Sequence, residues 1–480
     1  MPAKHAHILA KYHEADEKLT AEAINGALKA KAQWESMPLN ERATVFLKAA
    51  DLLSSKYRYE VMAATILGQG KNAWQAEIAA AAELCDFWRF NAAFAEEIYA
   101  TQPALHSPGI WNRLDYRALE GFVLAITPFN FTAIGGNLPS APAIMGNVAL
   151  WKPSASAVLS NYLVAKVLQE AGLPDGVIQF LPGSPESVAQ PAIKHAQFAG
   201  LHFTGSTAVF QSLWQQIASN LPRYRGYPRI VGETGGKNAH FIHPSADLSS
   251  AVNQTIRGAF EYQGQKCSAT SKLFVPQSLW PQFRDEFIAK MQSIKQGGPD
   301  DFTSFMGPVI NRGAFDKIKS YIEYARKEAT ILAGGVCDDS TGYFISPTLV
   351  QTDQMDFKLM KEEIFGPVLT AFVYPDEMGW EKILQTASEH SDYALTSGVF
   401  ARDRQAISAA CEVLRNTAGN LYINDKSTGA VVGQQPFGGA RLSGTNDKAG
   451  SALNLLRWTS VRCVKENFLP LGDYRYPSNF

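Results

Sequence analysis

The sequence predicts an α/β fold with doubly wound sheets. From residue 120 onward, continuous apolar runs of four to six residues alternate with segments of helical periodicity, which is the pattern of a parallel sheet with crossover helices. Residues 20–100 show helical periodicity alone. At 480 residues, with 46% hydrophobic and 19% charged side chains, the chain is long enough for two or three domains that each bury a core.

Composition excludes several classes of protein. The net charge is −1 and there is no basic run, so nucleic acid is not an expected partner. The five cysteines are scattered and form no CxxC motif, which argues against a disulfide framework and against a zinc site, and for a reducing compartment. We expect no metal.

The N-terminal sequence indicates the compartment. Residues 1–10 contain no apolar run of the kind found in a secretory signal. They also lack arginine and are followed at once by Glu14, Asp16 and Glu17, unlike a mitochondrial presequence. We therefore expect a cytoplasmic protein, or one of the mitochondrial matrix if the source is eukaryotic.

The stretch Gly121–Trp151 has no charged residue and is long enough to span a bilayer. Proline and asparagine interrupt it repeatedly, at Pro128, Pro139 and Pro142 among other positions. We interpret it as two buried strands with a helix between them, and we expect no membrane partner.

The helical region before residue 100 has two main segments. Asn40 is a plausible N-cap for a helix whose apolar stripe is Phe46, Ala49, Ala50 and Leu53. A second helix is predicted from Ala73 to Tyr99, with an alanine-rich first half that packs closely. Residues 101–119 are rich in proline and polar residues and are interpreted as a connector or a projecting hairpin.

Four strands are predicted after residue 120. One helix between them carries an apolar stripe from Leu159 to Val167 that includes Tyr162 and ends at Gly172. Another follows Gly205 and Ser206, with Phe210, Leu213, Trp214 and Ile217 at helical spacing. The strands are Gly121–Ile126, Val148–Trp151, Ile178–Leu181 and Leu201–Thr204. A second α/β unit is predicted over residues 237–430, with strands such as Lys272–Val275 and Tyr343–Ile345.

Cys267 lies in the sequence EYQGQKCSA, near the middle of the chain. A thiolate is a strong nucleophile near neutral pH if its pKa is lowered from about 8.5. Lys266 and the backbone N–H groups of a turn at Gly264 would lower that pKa. A lone cysteine is more often a buried structural residue, so this stretch alone does not identify a site.

A second motif, VGETGGKN, places Glu233 on a glycine-rich loop 34 residues before Cys267. Glycine on both sides lets the backbone approach a ligand closely. By itself, however, a carboxylate on such a loop is equally consistent with an exposed turn.

Strand ends of the first α/β unit are suited to a dinucleotide, although the chain contains no GxGxxG motif. Ligands of open α/β sheets bind beyond the carboxyl ends of the strands. Thr127–Asn130 and Lys152–Ser154 occupy two such ends. Gly205 and Ser206 open a helix whose N-terminus suits a pyrophosphate, but they also match an ordinary helix cap.

A glycine-rich loop between residues 424 and 446 is unusually long for a connector inside a compact domain, and such loops are commonly functional. The backbone N–H groups of Gly429 and Ala430 are donors for a carboxylate, and Phe437 supplies an apolar wall. A further distinctive motif, KEEIFGPV, spans residues 361–368.

Together these motifs resemble the aldehyde dehydrogenase superfamily, and the wording GETGGKN followed by EYQGQKCSA resembles its delta-1-pyrroline-5-carboxylate dehydrogenase branch. The resemblance covers nearly the whole chain from about Ala23, although members of the family carry an additional N-terminal segment. It implies that Cys267 is the nucleophile and Glu233 the general base. Asn130, together with the Cys267 N–H, would stabilise the oxyanion.

The resemblance also implies a variant Rossmann domain that binds NAD, with NADP not excluded. Many relatives carry a glutamate three residues after the conserved lysine to hold the ribose hydroxyls, and this chain has Ala155 there. Glu363 and Phe365 match the family's contacts to the nicotinamide ribose and ring. The implied cofactor-binding residues are Thr127, Lys152, Ser154, Gly205, Ser206, Glu363 and Phe365.

A small-molecule substrate with both a carboxylate and an amino group is implied. In the family the substrate's carboxylate binds the serine after the nucleophile and the glycine-rich loop, a helix carboxylate faces its amino group, and two phenylalanines enclose its aliphatic chain. The matching residues are Ser268, Gly429, Ala430, Glu83, Phe131 and Phe437.

The implied domain organisation has three parts. Residues 1–100 and 120–232 form the NAD(P)-binding domain and residues 233–443 the catalytic domain. Residues 101–119 and 444–480 form an oligomerisation flap and tail, so a homodimer or higher homo-oligomer is expected.

The expected function is the oxidation of L-glutamate γ-semialdehyde to L-glutamate in proline degradation. Three alternatives stay open. One is another semialdehyde dehydrogenase, such as one acting on succinate semialdehyde, which would not need Glu83. Another is an NAD-independent thiol hydrolase, which would need a histidine beside Cys267; the nearest in sequence are His240 and His243. The last is a non-catalytic scaffold of the same fold.

Overall fold

A helical layer forms the N-terminal part of the protein. The computed structural model describes residues 1–480. The predicted stripe from Phe46 to Leu53 is fully buried, but its helix starts directly after Pro38 and not at an Asn40 cap, since the fixed φ of proline suits a helix start. The elements are α1 (Glu17–Ser36), α2 (Leu39–Ser54), α3 (Arg58–Gln69), α4 (Ala73–Ala76), a π-helical segment (Glu77–Ala82), α5 (Glu83–Ala100) and strand β1 (Ile110–Arg117).

A five-stranded parallel sheet follows, and it confirms the α/β prediction. Its strand order is β4-β3-β2-β5-β6, so the chain builds outward from β2 in one direction and then returns to add β5 and β6 on the other side. The elements are β2 (Phe122–Ile126), α6 (Thr132–Ile144), β3 (Val148–Lys152), α7 (Val158–Ala171), β4 (Ile178–Phe180), α8 (Gln190–Lys194), β5 (Phe198–Thr204), α9 (Thr207–Ser219) and β6 (Arg229–Glu233).

Both faces of this sheet are covered by helices, as a parallel sheet requires. Side chains of α2, α5 and α7 pack on one face, and side chains of α1 and α9 on the other. Two residues of the predicted apolar stripes are not buried in this packing: Tyr162 is 50% exposed and Trp214 is 44% exposed.

A second, seven-stranded sheet has the order β16-β15-β7-β8-β13-β12-β9 and is parallel except for β9. Its strands are β7 (Asn238–Ile242), β8 (Thr270–Pro276), β9 (Thr330–Ala333), β12 (Thr348–Thr352), β13 (Val368–Tyr374), β15 (Thr396–Phe400) and β16 (Asn420–Ile423). Short strands pair outside it: β10 (Cys337–Asp338) with β11 (Phe344–Ile345), and β14 (Tyr393–Ala394) with β17 (Ala440–Arg441). Its helices are α10 (Leu248–Phe260), α11 (Trp280–Gln292), α12 (Arg312–Glu328), α13 (Lys358–Lys361), α14 (Trp380–Glu389) and α15 (Arg404–Val413).

The C-terminal segment returns to the first part of the chain. Helix α16 (Ala452–Leu456) packs beside α5, and Trp458 is fully buried. Strand β18 (Ser460–Asn467) then pairs with β1 in an antiparallel two-stranded ribbon. Residues 101–119 are therefore one half of a ribbon and not a hairpin of their own. In this structure no helix has both the length and the apolar character needed to cross a membrane.

Candidate active site

A cavity of about 720 Å³ opens between the two sheets. The nucleophile and base predicted from the sequence, Cys267 and Glu233, both line its wall. The six predicted substrate-binding residues line it as well: Glu83, Phe131, Ser268, Gly429, Ala430 and Phe437. The structure thus brings together residues that lie more than 350 positions apart in the sequence.

The loop that carries Cys267 is held in a strained backbone conformation. It begins with a 3₁₀ turn, Glu261–Gly264, in which Tyr262 and Gln263 have φ values of 52° and 56°. Left-handed conformations are costly for residues other than glycine and persist where surrounding contacts impose them. Here the Tyr262 hydroxyl donates to the Gln69 carbonyl at 2.9 Å, and Gln263 Nε2 donates to the Gly70 carbonyl at 2.9 Å.

The two sequence motifs are in direct contact. Asn238 Nδ2 donates to the carbonyl oxygens of Cys267 and Ala269, at 2.6 and 2.9 Å. A Cβ atom on Gly236 would lie 2.0 Å from the Cys267 carbonyl oxygen. A glycine is therefore required at position 236 for the GETGGKN segment to approach the cysteine loop.

The environment of the thiol differs from the one expected. Lys266 is bound to Glu261, with 3.0 Å between its Nζ and Glu261 Oε2, and Glu261 also binds Arg257 at 2.7 Å. The charge of Lys266 is thus largely neutralised. Burial raises the pKa of the Cys267 thiol, and the Glu233 carboxylate raises it further. The prediction that Lys266 lowers this pKa was wrong.

Glu233 is the last residue of β6 and not part of a free loop. Burial raises the pKa of its carboxyl group to about 8, and Lys448 opposes that rise. Lys448 Nζ is fixed by the carbonyl oxygens of Gly419 and Gly438, at 2.8 and 3.0 Å. A carboxyl group that titrates near neutral pH is suited to general base catalysis.

Asn130 and the backbone of Cys267 supply donors for an oxyanion. Asn130 is buried, and its Nδ2 donates to the Gln265 carbonyl at 3.1 Å. An amide carries two N–H groups, so one of them remains available. The Cys267 N–H donates to no carbonyl of the protein. Neutral donors of this kind stabilise a developing negative charge.

The glycine-rich loop faces the serine that follows the nucleophile. Ser268 Oγ donates to Thr428 Oγ1 at 3.0 Å. Gly429 has a φ of 99°, a conformation that only glycine adopts at low cost. This turn places the backbone of Gly429 and Ala430 along the cavity wall beside Ser268 and Thr428, where hydroxyl and N–H groups surround one end of the cavity.

Glu83 lies in the cavity wall, at the first position of α5 after the π-helical segment. Its Oε2 atom is buried and has no hydrogen-bond partner. Burial raises the pKa of its carboxyl group to about 7, while Lys71 and Lys266 lower it. Sequence alone left a solvent-facing role open for Glu83; the structure places it inside.

None of the predicted dinucleotide residues lines this cavity, and five of them follow or end strands at the carboxyl edge of the five-stranded sheet: Thr127, Lys152, Ser154, Gly205 and Ser206. The strand order reverses between β2 and β5, and such a switch point is where open α/β sheets bind ligands. Thr127 directly follows β2, and Lys152 is the last residue of β3. Thr127 Oγ1 accepts from Trp151 Nε1 at 3.0 Å, and the Ser154 carbonyl accepts from the Ala157 N–H at 3.0 Å.

Gly205 and Ser206 follow β5 at the same edge. The Gly205 N–H donates to the Glu233 carbonyl at 3.1 Å, and Ser206 Oγ caps α9 by accepting from the Val209 N–H at 3.4 Å. The structure therefore gives Ser206 a capping role, and it leaves the N–H groups of Thr207 and Ala208 at the start of α9 without a protein acceptor.

Glu363 and Phe365 approach the site from the second sheet. Glu363 Oε1 accepts from the Gly236 N–H at 2.8 Å, which joins this segment to the loop that follows Glu233. Phe365 has a φ of 61° and packs edge-to-face on Phe129, with ring centroids 5.9 Å apart. The ring of Phe365 is thus held beside the loop that ends at Asn130.

The two histidines nearest to Cys267 in sequence are both bonded elsewhere, and His202, which lines the cavity, bonds through Nδ1 to the Leu138 carbonyl at 2.8 Å. These contacts argue against the thiol hydrolase alternative. His240 bonds to the hydroxyls of Thr255 and Thr270, both at 2.9 Å, and burial lowers its pKa to about 3. His243 bonds instead to Ser245 at 2.9 Å. The structure also contains no cluster of three or more side chains able to hold a metal ion.

Three residues of the site were not found from the sequence. Asn238 fixes the Cys267 loop, Lys448 acts on Glu233, and Lys71 lines the cavity beside Glu83. Lys71 follows the glycine that ends α3, which was the only available signal. Asn238 is the last residue of the VGETGGKN motif, but the motif did not indicate its role, and nothing in the sequence near Lys448 distinguishes that lysine from a surface residue.

Comparison with known proteins agrees with this geometry. The model of the aldehyde dehydrogenase family matches residues 1–464. The chain is 57% identical to the mitochondrial delta-1-pyrroline-5-carboxylate dehydrogenase of Dictyostelium discoideum, over 98% of this chain and 85% of that protein. It is also 57% identical to the corresponding dehydrogenase of Agaricus bisporus, over 100% of this chain and 88% of the relative.

Solved structures give the same result. The delta-pyrroline-5-carboxylate dehydrogenase of Mycobacterium tuberculosis bound with NAD superposes with a TM-score of 0.96 at 50% identity, covering 100% of this chain and 88% of that one. Sequence, fold and site geometry lead to one conclusion: the chain belongs to the aldehyde dehydrogenase family.

Proposed function

We propose that this protein oxidises L-glutamate γ-semialdehyde, the open form of 1-pyrroline-5-carboxylate, to L-glutamate with NAD, the second step of proline degradation. The observation that carries the proposal is that one cavity holds a cysteine and a glutamate of raised pKa. The same cavity holds hydrogen-bond donors for a carboxylate and a carboxylate for an ammonium group. The names of the relatives and the NAD in the Mycobacterium structure support the same reaction.

The carboxyl edge of the first sheet fits NAD. The N-terminus of α9 supplies N–H groups for a pyrophosphate, as helix N-termini do. Near Lys152, the carboxylates of Glu14 and Glu186 lie close enough to act on the pKa of its ammonium. We propose that one of these carboxylates takes the place of the glutamate that many relatives carry where this chain has Ala155, and that it accepts from the ribose hydroxyls. We therefore propose that Thr127, Lys152, Ser154, Gly205, Ser206, Glu363 and Phe365 hold NAD.

The mechanism follows from the positions of three residues. Cys267 gives its proton to solvent water, and its Sγ then attacks the aldehyde carbon. The C=O π bond opens to an oxyanion, which is held by Asn130 Nδ2 and the Cys267 N–H. Bound NAD accepts the hydride that leaves this carbon. Glu233 then takes a proton from water, which attacks the resulting thioester, so that the C–S bond breaks and glutamate leaves.

Substrate choice follows from the buried polar groups. We propose that the hydroxyl of Ser268 and the N–H groups of Gly429 and Ala430 bind the substrate carboxylate and that Glu83 binds its ammonium. Phe131 and Phe437 would enclose the carbon chain. Succinate semialdehyde is the second candidate, but it has no amino group to pair with the unpartnered oxygen of Glu83, so we favour the amino acid.

Acetaldehyde is expected to be a poor substrate. It leaves every one of these polar groups unpaired, and sites built to bind a polar group reject analogues lacking it by about 10⁴-fold or more. Initial rates of NADH formation with 1-pyrroline-5-carboxylate and with acetaldehyde give the two kcat/KM values. Comparable values would contradict the proposed carboxylate and ammonium sites.

We also propose the domain division given above, with each of the two large sheets in one domain. The proposed flap and tail expose many apolar side chains, such as Trp111, Phe468, Leu471 and Tyr474. Such a surface suits a second copy of the chain, so we propose a homodimer or a higher homo-oligomer. Light scattering is expected to give a mass of at least twice the 52.5 kDa of one chain, and a mass of 52.5 kDa would contradict the proposal.

For the compartment, we propose the cytoplasm, or the mitochondrial matrix if the source is eukaryotic. All five cysteines are free thiols, as is usual in a reducing compartment. The Dictyostelium relative is named as mitochondrial.

A further inference from the structure

Lys71 is a buried cation in the cavity with no role in the reaction described above. Its side chain is only 3% exposed. It forms no salt bridge and no hydrogen bond. Its Nζ instead lies over two aromatic rings, 3.6 Å from the ring centroid of Tyr262 and 4.5 Å from that of Phe131.

The position of Lys71 is fixed from two directions. The strained residues Tyr262 and Gln263 bind the carbonyls of Gln69 and Gly70, which directly precede Lys71. The ring of Tyr262 also contacts the ammonium. The conformation that holds the cysteine loop therefore holds Lys71 as well.

A buried ammonium group is unfavourable unless an anion compensates it. Burial lowers the pKa of Lys71 well below its usual range, Lys266 lowers it further, and the carboxylates of Glu83 and Glu261 oppose that fall. Lys71 and these carboxylates therefore favour each other's charged forms. Glu261 is already bound to Lys266 and Arg257. Glu83 has no such partner, and its Oε2 is buried without a donor. Lys71 and Glu83 thus line one cavity with opposite charges, and neither forms a hydrogen bond or a salt bridge with the protein.

We propose that Lys71 is a positioning residue for substrate selection: its fixed ammonium keeps Glu83 ionised, and Glu83 then binds the α-ammonium of the substrate. This inference rests on the proposed function and adds to it the residue on which recognition of the amino group depends.

The sign of the effect follows from the charges around Glu83. Burial raises the pKa of Glu83 to about 7, and Lys71 is the first charge that opposes this rise. Removing Lys71 raises that pKa, so more of Glu83 is protonated at pH 7 and the substrate ammonium loses its partner. The other charged groups that shift the pKa of Glu83 or Lys71 are Lys266, Asp86 and Glu261. Glu83 in turn raises the pKa of Glu233 and of Cys267.

The test compares two substrates that differ only in the amino group, glutamate γ-semialdehyde and glutarate semialdehyde. In Lys71→Met we expect kcat/KM for the amino substrate at pH 7 to fall at least about fivefold. A rise of about one unit in the pKa of Glu83, from its value of about 7, lowers the ionised fraction of Glu83 at pH 7 by about this factor. For glutarate semialdehyde we expect a change of less than about twofold. Methionine keeps the packing against the two rings.

The pH dependence separates charge from structure. Taking the ratio of the two substrates cancels the titration of Glu233 and Cys267, which serve both. The selectivity lost in Lys71→Met should return as pH is raised from 7 to 9, and Lys71→Arg should keep most of it. In a Glu83→Gln background, Lys71→Met should not change the ratio further.

Two results would overturn the proposal: equal loss on both substrates, or a loss of selectivity that does not depend on pH. If Lys71→Met does not fold, Lys71→Gln and Lys71→Arg give the same comparison. The wild-type ratio tests the proposed function separately. A wild-type enzyme with no preference for the amino substrate contradicts the proposed function, whereas an unchanged ratio in Lys71→Met contradicts the role of Lys71 alone.

Discussion

Replacing Cys267 by alanine is expected to lower kcat for NADH formation by about 10⁴-fold or more, since removal of a nucleophile costs a factor of this order or larger. Without Sγ no thiohemiacetal forms, and no other cysteine lines the cavity. Steady-state NADH formation with 1-pyrroline-5-carboxylate measures the loss.

Cys411 provides the matched control. It is an exposed free thiol, and Cys411→Ala is expected to keep full activity. Thermal denaturation of Cys267→Ala should resemble that of the wild type, because removing one sulfur from the cavity wall exposes no new apolar surface. Activity of Cys267→Ala within tenfold of the wild type would mean that Cys267 is not the nucleophile.

Replacing Glu233 by glutamine is expected to separate the two halves of the reaction. Hydride transfer needs Cys267 and the oxyanion donors, whereas hydrolysis of the thioester needs a base. Loss of a general base costs about 10²–10⁴-fold, so steady-state kcat should fall by that factor. Stopped-flow absorbance should still show a rapid burst of about one NADH per site, as expected for an accumulating acyl-enzyme.

The pH profile gives a second check on Glu233. Its pKa is raised to about 8 by burial, and only the ionised form accepts a proton from water. Wild-type kcat should therefore rise as pH increases through about 8, and this limb should be absent in Glu233→Gln. A normal steady-state rate in the variant, or no burst, would contradict the assigned role.

Much of the fold could be predicted because local patterns decide it. The apolar runs at Phe122–Ile126 and Val148–Lys152 are buried parallel strands, and Gly172 ends α7 with a φ of 99°. The start of α2 was predicted at Asn40, but the helix begins at Leu39, directly after Pro38. The pairing of β1 with β18 joins positions such as Ile110 and Asn467, which no local pattern connects.

The candidate site was predictable where residues are adjacent in sequence and less so where the fold brings them together. Lys266 is next to Cys267, yet the left-handed turn at Tyr262 brings Glu261 back to bind it. Glu83 was ambiguous because an alanine-rich helix gives no indication of which face is buried. The two lysines that lower the pKa of Glu83, Lys71 and Lys266, come from other segments of the chain, and only the structure shows that they are its neighbours.

The most direct measurement is the mass of the covalent intermediate. Glu233→Gln is mixed with 1-pyrroline-5-carboxylate and NAD, quenched in acid during the burst, digested and mapped by mass spectrometry. We predict one glutamyl group, attached to the peptide that contains Cys267 and present only when NAD is added. NADH formation without a modified Cys267, or a glutamyl group on another residue, would contradict the account.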